Sequence, residues 1–320
     1  MPTRTMCTAL LAGLMLAIVT ACPAGAQTRY EMDESGELVR QPGPEPGTPA
    51  AGLEDIRRLI AEGEGEEAED LATRWIRNHP DHELEIEARL LRGDALVSQE
   101  RYYKALFDYE YVIRVYPGSE AFFTALEREF EIARLYTSGV KRKLLGFAIL
   151  PADGEGEELL IRIQERVPGS DLGERASLLL ADYYYDNAQM FLASEAYDIF
   201  LENYPESNRR EWALLRLVLS NLARFKGPKY DATGLLEARE RLLIYRAEFP
   251  ASAEKIGIEA LLLRVDESLA MSDMENAKWY ERRGEKRGAA AIYRRIVTEY
   301  PRTGVAGDAA ERLNELGAYE

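Results

Sequence analysis

The chain of 320 residues holds two histidines, His79 and His82, in the stretch Asn78-His79-Pro80-Asp81-His82-Glu83. A His-x-x-His pair beside carboxylates has the spacing of a metal edge, but metal sites of that kind need three or four ligands. No further nitrogen or sulfur ligand is available in the folded body, and the pair reads instead as a solvated turn. Pro80 ends one helix and Asp81 caps the next. With 56 acidic residues, carboxylate pairs occur at every separation, so their spacing carries no sign of acid–base work and fits solvated helix faces. G-x-S-x-G, the phosphate loop G-x-x-x-x-G-K-[ST] and a dinucleotide fingerprint are all missing from the sequence. Cys7 and Cys22 are the only cysteines; Cys7 lies inside the leader and Cys22 at its edge, so the body beyond has neither a thiolate nor a disulfide. The expectation is a protein that is not an enzyme and takes no cofactor and no metal.

What remains is surfaces, and the elements that build them are legible in an internal repeat. Gly93–Pro117 (GDALVSQERYYKALFDYEYVIRVYP), Ala181–Pro205 (ADYYYDNAQMFLASEAYDIFLENYP) and Ala277–Pro301 (AKWYERRGEKRGAAAIYRRIVTEYP) align over 25 residues without a gap. They share a small first residue (Gly93, Ala181, Ala277), then Ala105/Ala193/Ala289, Tyr109/Tyr197/Tyr293, Tyr116/Tyr204/Tyr300 and the closing proline. From the shared Ala, apolar residues fall at steps 0, 4, 7, 8 and 11, as in Ala193, Tyr197, Phe200, Leu201 and Tyr204. That is one face of a helix. The small residue lets a partner helix come close, the aromatics fill the space beyond it, and proline forbids another turn. The unit is therefore two antiparallel helices and a stop, and the pattern resembles the tetratricopeptide repeat.

Closing prolines at 80, 117, 168, 205, 250 and 301 count about six such pairs, followed by a terminal capping helix over Val305–Leu316 that is polar on its outer side. The predicted fold class is all-α: a tetratricopeptide-like αα-superhelix, one solenoid over residues 53–320. The intervals exceed a strict repeat of about 34 residues in three places: Gly139–Asp153, Lys226–Tyr230, and the run Ala253–Arg283. Gly257, at about 1 kcal/mol against Ala, is not expected to break that last run.

Residues 1–26 read as a secretion signal, with Arg4 ahead of the apolar run Ala9–Thr20, which is short for a membrane span. Two cleavage readings overlap. Val19-Thr20-Ala21-Cys22 resembles a lipobox, ending the leader at 21 with Cys22 as the lipid attachment site; Ala24-Gly25-Ala26 before Gln27 fits an ordinary site. Residues 27–52 form a Pro/Gly-rich tether, with room for a short hairpin in Tyr30–Arg40 around Ser35-Gly36. The net charge of −16 suits a soluble, surface-rich array and argues against non-specific attraction to nucleic acid or anionic lipid headgroups. No nucleic-acid partner is expected.

Two stretches are marked for protein partners. Lys141, Arg142 and Lys143 precede Leu144, Leu145, Phe147, Ile149 and Leu150 in an acidic chain, as a docking loop or as a loop packed back on its helices. Near the end, Trp279, Arg282 and Arg283 put aromatic and arginine side chains at a turn, the types most frequent at interface centres. Tyr280 matches Tyr184 at a core position of the repeat.

A secretion or lipoprotein signal, a Pro-rich tether, and helix pairs ending in ENYP and TEYP resemble the BamD family of outer-membrane assembly lipoproteins. Ala277–Pro301 carries the resemblance most specifically: it is similar to that family's late repeat, an A-x-Y-Y-x-x-R-G turn before a small-residue helix and a Y-P stop, with Trp279 at the first aromatic. The resemblance implies a non-catalytic scaffold at the periplasmic face of the outer membrane, held there by a lipid anchor if Cys22 is acylated and periplasmic otherwise. Its implied partners are a BamA-type barrel subunit, held by the late repeats, and unfolded barrel substrates. A groove for the latter is expected among residues such as Tyr102, Tyr103, Tyr183 and Tyr184. A periplasmic tetratricopeptide adaptor for pilus, polysaccharide or cell-wall assembly would share every feature except the late-repeat resemblance.

Overall fold

The computed structural model describes residues 30–32, 38–40, 43–144 and 147–317. The leader, Cys22, the cleavage sites and the turn at Ser35-Gly36 lie outside them. Fourteen helices occur among the described residues, and the fold class is all-α with tetratricopeptide-like pairing. The chain divides into two compact units, residues 1–112 and 113–320. Helical pairs contact only their neighbours, and the division falls within α4.

Unit 1 begins with the predicted hairpin, β1 (Tyr30–Met32) antiparallel to β2 (Leu38–Arg40) with Tyr30 opposite Arg40. Then come α1 (Pro49–Glu62), α2 (Gly65–Asn78), α3 (Glu85–Ser98) and the greater part of α4 (Tyr102–Val115). Helix α1 starts within the expected tether. Pro49 stands in its first turn, where a proline has no hydrogen bond to lose, and the Thr48 side chain accepts from the Ala51 amide at 3.2 Å. Leu53, Ile56, Ala72 and Trp75 form the core with Ala88 and Leu91. The small first position of the repeat is explained by α3 against α4: a Cβ on Gly93 would lie 2.4 Å from Tyr109 Cε1, an impossible contact. Asp94, next in sequence, accepts the Tyr109 hydroxyl at 2.8 Å.

Unit 2 follows with α5 (Glu120–Thr137), α6 (Asp153–Arg166), α7 (Asp171–Asp186), α8 (Met190–Asn203), α9 (Arg210–Ala223), α10 (Thr233–Glu248), α11 (Pro250–Ile256), α12 (Ile258–Arg282), α13 (Lys286–Glu299) and α14 (Gly304–Glu315). The stops work as the spacing predicts, and the sequence after them starts the next helix. Ser119 and Ser170, two residues beyond Pro117 and Pro168, cap α5 and α7 by accepting the Phe122 and Gly173 amides at 3.1 and 3.0 Å. Each such cap contributes about 1 kcal/mol.

Two expectations are corrected here. The long insertion after α5, expected as a docking loop or as a loop packed back on its helices, is a ribbon: β3 (Arg142–Leu144) pairs antiparallel with β4 (Phe147–Leu150), and Arg142 ties it to Glu155 of α6 at 2.5 Å. Gly257 does break the run from Ala253. It ends α11 at φ 80°, a left-handed conformation that glycine adopts without penalty, and α12 starts on a new phase. Pro250, expected as a stop, also opens α11 at its first position.

The shared tyrosines pin first helix to second. Tyr197 and Tyr293 are fully buried, and their hydroxyls donate to Asp182 at 2.5 Å and Glu281 at 2.9 Å. Tyr245 plays the same part between pairs, donating to Glu211 at 2.9 Å. Burial first, and the Asp182 carboxylate second, push the Tyr197 phenol far above its ordinary value; burial and then Glu211 push Tyr245 up to about 12. A phenol held neutral in the fold stabilises it fully below the unfolded value of 10.0 and less as pH climbs through the folded one. Unit 2 should therefore keep its denaturation midpoint from pH 8 to 10 and lose stability between 10 and 12, measured by urea titration at each pH. A midpoint flat to pH 12 contradicts the buried-phenol account.

Candidate functional site

Helix α12 is 25 residues long, against 14 for α13 that follows it, and its last turn carries the marked residues. Trp279 is 45 % exposed. Its ring meets Tyr280 edge-on at 4.9 Å between centroids, and the Arg283 guanidinium lies 4.6 Å from its centre. Arg283 also faces Glu285 at 3.6 Å. Trp279 and Arg283 are thus one stacked group. Arg282 is exposed beside it and forms no ion pair among the described residues.

Tyr280 holds this turn in place. A Cβ on Gly288 would sit 3.0 Å from Tyr280 Cδ1, so the glycine lets the ring lie against α13. Glu281 faces the other way: it accepts the Tyr293 hydroxyl and pairs with Arg312 of α14, joining three helices. The result is a tryptophan presented on a rigid base with cations around it. Such a surface binds by desolvation and charge.

A second surface is an open groove of 740 Å³ on α5, α7 and α9, with Phe130, Arg134, Arg175, Leu178, Leu179 and Trp212 in its lining. Trp212 is 44 % exposed and its indole N–H points to Asp182 at 3.4 Å. The Arg216 guanidinium stands 4.4 Å from the Trp212 ring and 4.1 Å from that of Tyr185. Arg175 repeats the arrangement over Phe130 at 4.5 Å while pairing with Glu127 at 3.0 Å. Flat rings with arginines beside them suit an extended peptide. The tyrosines expected in a groove do not line it. Tyr183 and Tyr184 are buried at 9 % and 7 % exposure, because their positions fall on the face that α7 turns to the core, and the Tyr184 hydroxyl is held by Glu157 at 2.7 Å. Tyr102 and Tyr103 are in α4 and are not lining residues either; Tyr103 stacks edge-on against Phe107.

Trp212 went unmarked, although a signal was present. It precedes the buried stripe Ala213, Leu214, Leu217 and Val218 by one residue, out of phase with it, and a tryptophan off the core stripe is a surface feature.

His79 and His82 stand with ring centroids 5.9 Å apart and perpendicular, both against Trp75. Their Nδ1 atoms are engaged by backbone: His79 with the Trp75 carbonyl at 2.9 Å, and His82 as acceptor of the Leu84 amide at 3.0 Å. Among the described residues no group of three or more potential ligands gathers as a metal site would need, and no helix is long and apolar enough to cross a membrane.

The model of the YfiO family, described as outer membrane lipoprotein, matches residues 155–317, just over half of the chain and all of the late pairs. No curated protein matches. Among solved structures, a MamA RS-1 double mutant aligns at 17 % identity, over 63 % of this chain and 97 % of that one, with a TM-score of 0.34. The C-terminal part of a TPR repeat-containing protein from Cytophaga hutchinsonii aligns at 14 % identity, over 83 % and 88 %, with a TM-score of 0.40. Likenesses this distant carry no argument about function.

Proposed function

The chain belongs to the YfiO family of outer membrane lipoproteins, and from that premise we propose that it is a non-catalytic scaffold at the periplasmic face of the outer membrane, a BamD-like component of the machinery that assembles β-barrel proteins there. The observation that carries this reading is the family match itself, which runs through α12 and α13. The exposed Trp279, Arg282 and Arg283 turn supports it as the place where a BamA-type barrel-forming subunit docks. The groove on α5, α7 and α9 is suited to the second partner, unfolded barrel substrate in extended form. An acyl chain on Cys22 would hold the scaffold at the membrane, since each buried methylene contributes about 0.8 kcal/mol.

Truncation before Ala277 is expected to abolish co-purification with the barrel-forming subunit from solubilised envelopes. Undiminished recovery from a chain that ends there would end this assignment. Mass spectrometry of the mature amino terminus separates the two anchoring states: an acylated Cys22, or a free chain beginning at Gln27.

A further inference from the structure

The chain has eight lysines and thirty-two arginines, and the two are not distributed alike. Arginines are largely engaged in ion pairs across the helices, such as Arg175–Glu127, Arg239–Asp266 and Arg246–Glu259. Six of the eight lysines, Lys141, Lys143, Lys226, Lys229, Lys278 and Lys286, stand at or beside the links α5–α6, α9–α10 and α12–α13 of unit 2, and all six are exposed.

These links face one way. Tyr184, near the end of α7, reaches Glu157 at the start of α6. Arg224, just past α9, reaches Ser194 in α8 at 3.2 Å and lies 5.0 Å from the Phe191 ring. Arg246–Glu259 and Arg239–Asp266 run α10 antiparallel to α12, which puts the start of α10 and the end of α12 on the same side. The edge they share also bears large exposed side chains: Tyr230 at 64 % and Phe191 at 58 %. Two of its carboxylates are paired, Asp186 with Arg216 and Glu285 with Arg283; Asp231, held by the Thr233 amide and hydroxyl, keeps its charge.

We propose that this edge of unit 2 docks onto an anionic phospholipid surface. The net charge of −16 argues against attraction of the chain as a whole to anionic lipid, but fields are screened beyond about 8 Å at physiological ionic strength, so at contact the charge of this edge decides. A surface of mobile phosphates is recognised by hydrated ammonium groups on flexible stems, with Tyr and Trp at the headgroup level. A structured carboxylate partner would favour the forked guanidinium instead, and here it is lysine that is set apart. Lys226, Lys229, Lys278 and Lys286 form no ion pair among the described residues, so they are free to serve. The inference goes beyond the scaffold role and needs only that a membrane be near.

The test uses the full chain carrying Cys22→Ser, so that no acyl anchor contributes, in co-sedimentation with vesicles of phosphatidylcholine alone or with 30 % phosphatidylglycerol. Binding to the anionic vesicles should exceed binding to the neutral ones by about a hundredfold at 50 mM salt and vanish at 500 mM. K226Q/K229Q/K278Q/K286Q should lose that preference, the matching Lys→Arg variant should keep it, and Y230A should weaken binding several-fold; circular dichroism checks that each is folded. Equal binding to both vesicle types, or a folded glutamine variant that binds as the parent does, overturns the proposal. So does lysine-dependent binding to poly-glutamate without binding to vesicles, which would make the partner an acidic protein. Failure here is distinct from failure of the scaffold role: K226Q/K229Q, which leaves the Trp279 turn untouched, should weaken vesicle binding and still co-purify with the barrel-forming subunit.

Discussion

Replacing Tyr197 by alanine is expected to lower the unfolding free energy of unit 2 by about 4 kcal/mol, the range for truncating a fully buried aromatic side chain. The ring, on α8, is fully buried and its hydroxyl reaches Asp182 of α7, so truncation leaves a cavity where the two helices meet. Tyr197→Phe separates the ring from the hydroxyl. It keeps the packing and strands the Asp182 carboxylate with the longer Trp212 contact at 3.4 Å, so about 1–2 kcal/mol should go. Urea denaturation of the parent and both variants reads the two values. An alanine variant that loses less than about 1 kcal/mol would mean that the repeat is not held by this contact. Because Asp182 also lines the groove, the phenylalanine variant should loosen Trp212, visible as a shift in its fluorescence.

That the tyrosine could be singled out at all follows from how a helical pair is encoded. Gly93, Ala181 and Ala277 occupy the position where any larger side chain meets a ring, as the 2.4 Å approach at Gly93 shows, so small and aromatic residues must alternate at fixed distance. Packing of this sort leaves a mark on every copy. Asp94 and Asp182 follow the small residue directly and take the hydroxyl; in the third copy Lys278 stands there, and Glu281 one turn later takes over.

Backbone events leave fainter marks. The break at Gly257 was weighed by glycine's average cost in a helix, which says nothing of how readily glycine ends one. Phase was the better guide: Ile256 is 47 % exposed and Ile258 1 %, and two isoleucines two apart cannot share one helix face. The β3–β4 ribbon was hidden for a different reason, since its strands of three and four residues are too short to show a period. The exposed aromatic residues of the groove on α5, α7 and α9 are not the ones expected from sequence. Tyr183 and Tyr184 sit in an aromatic run, but the turn of α7 points both at the core, whereas Trp212 reaches solvent by standing one place off the stripe.

Trp279, in contrast, is marked by sequence and lies exposed, and the second large effect rests on it. On the proposed role, Trp279→Ala should weaken binding to the periplasmic domains of a BamA-type subunit by about 2–4 kcal/mol, roughly thirty- to a thousand-fold in Kd, as for a central interface tryptophan. Arg283→Ala removes the cation 4.6 Å from the ring and should cost less, because the indole remains. Arg282→Ala tests the unpaired neighbour. Stability is the control that gives the comparison meaning: a half-exposed tryptophan takes little packing with it, so the Trp279 variant should unfold within about 0.5–1 kcal/mol of the parent. Tyr280→Ala should do the reverse, since its ring lies against Gly288 and supports the turn. If Trp279→Ala binds within threefold of the parent while remaining folded, the indole is not the anchor, and the docking surface for the barrel-forming subunit has to be sought elsewhere on α12 and α13.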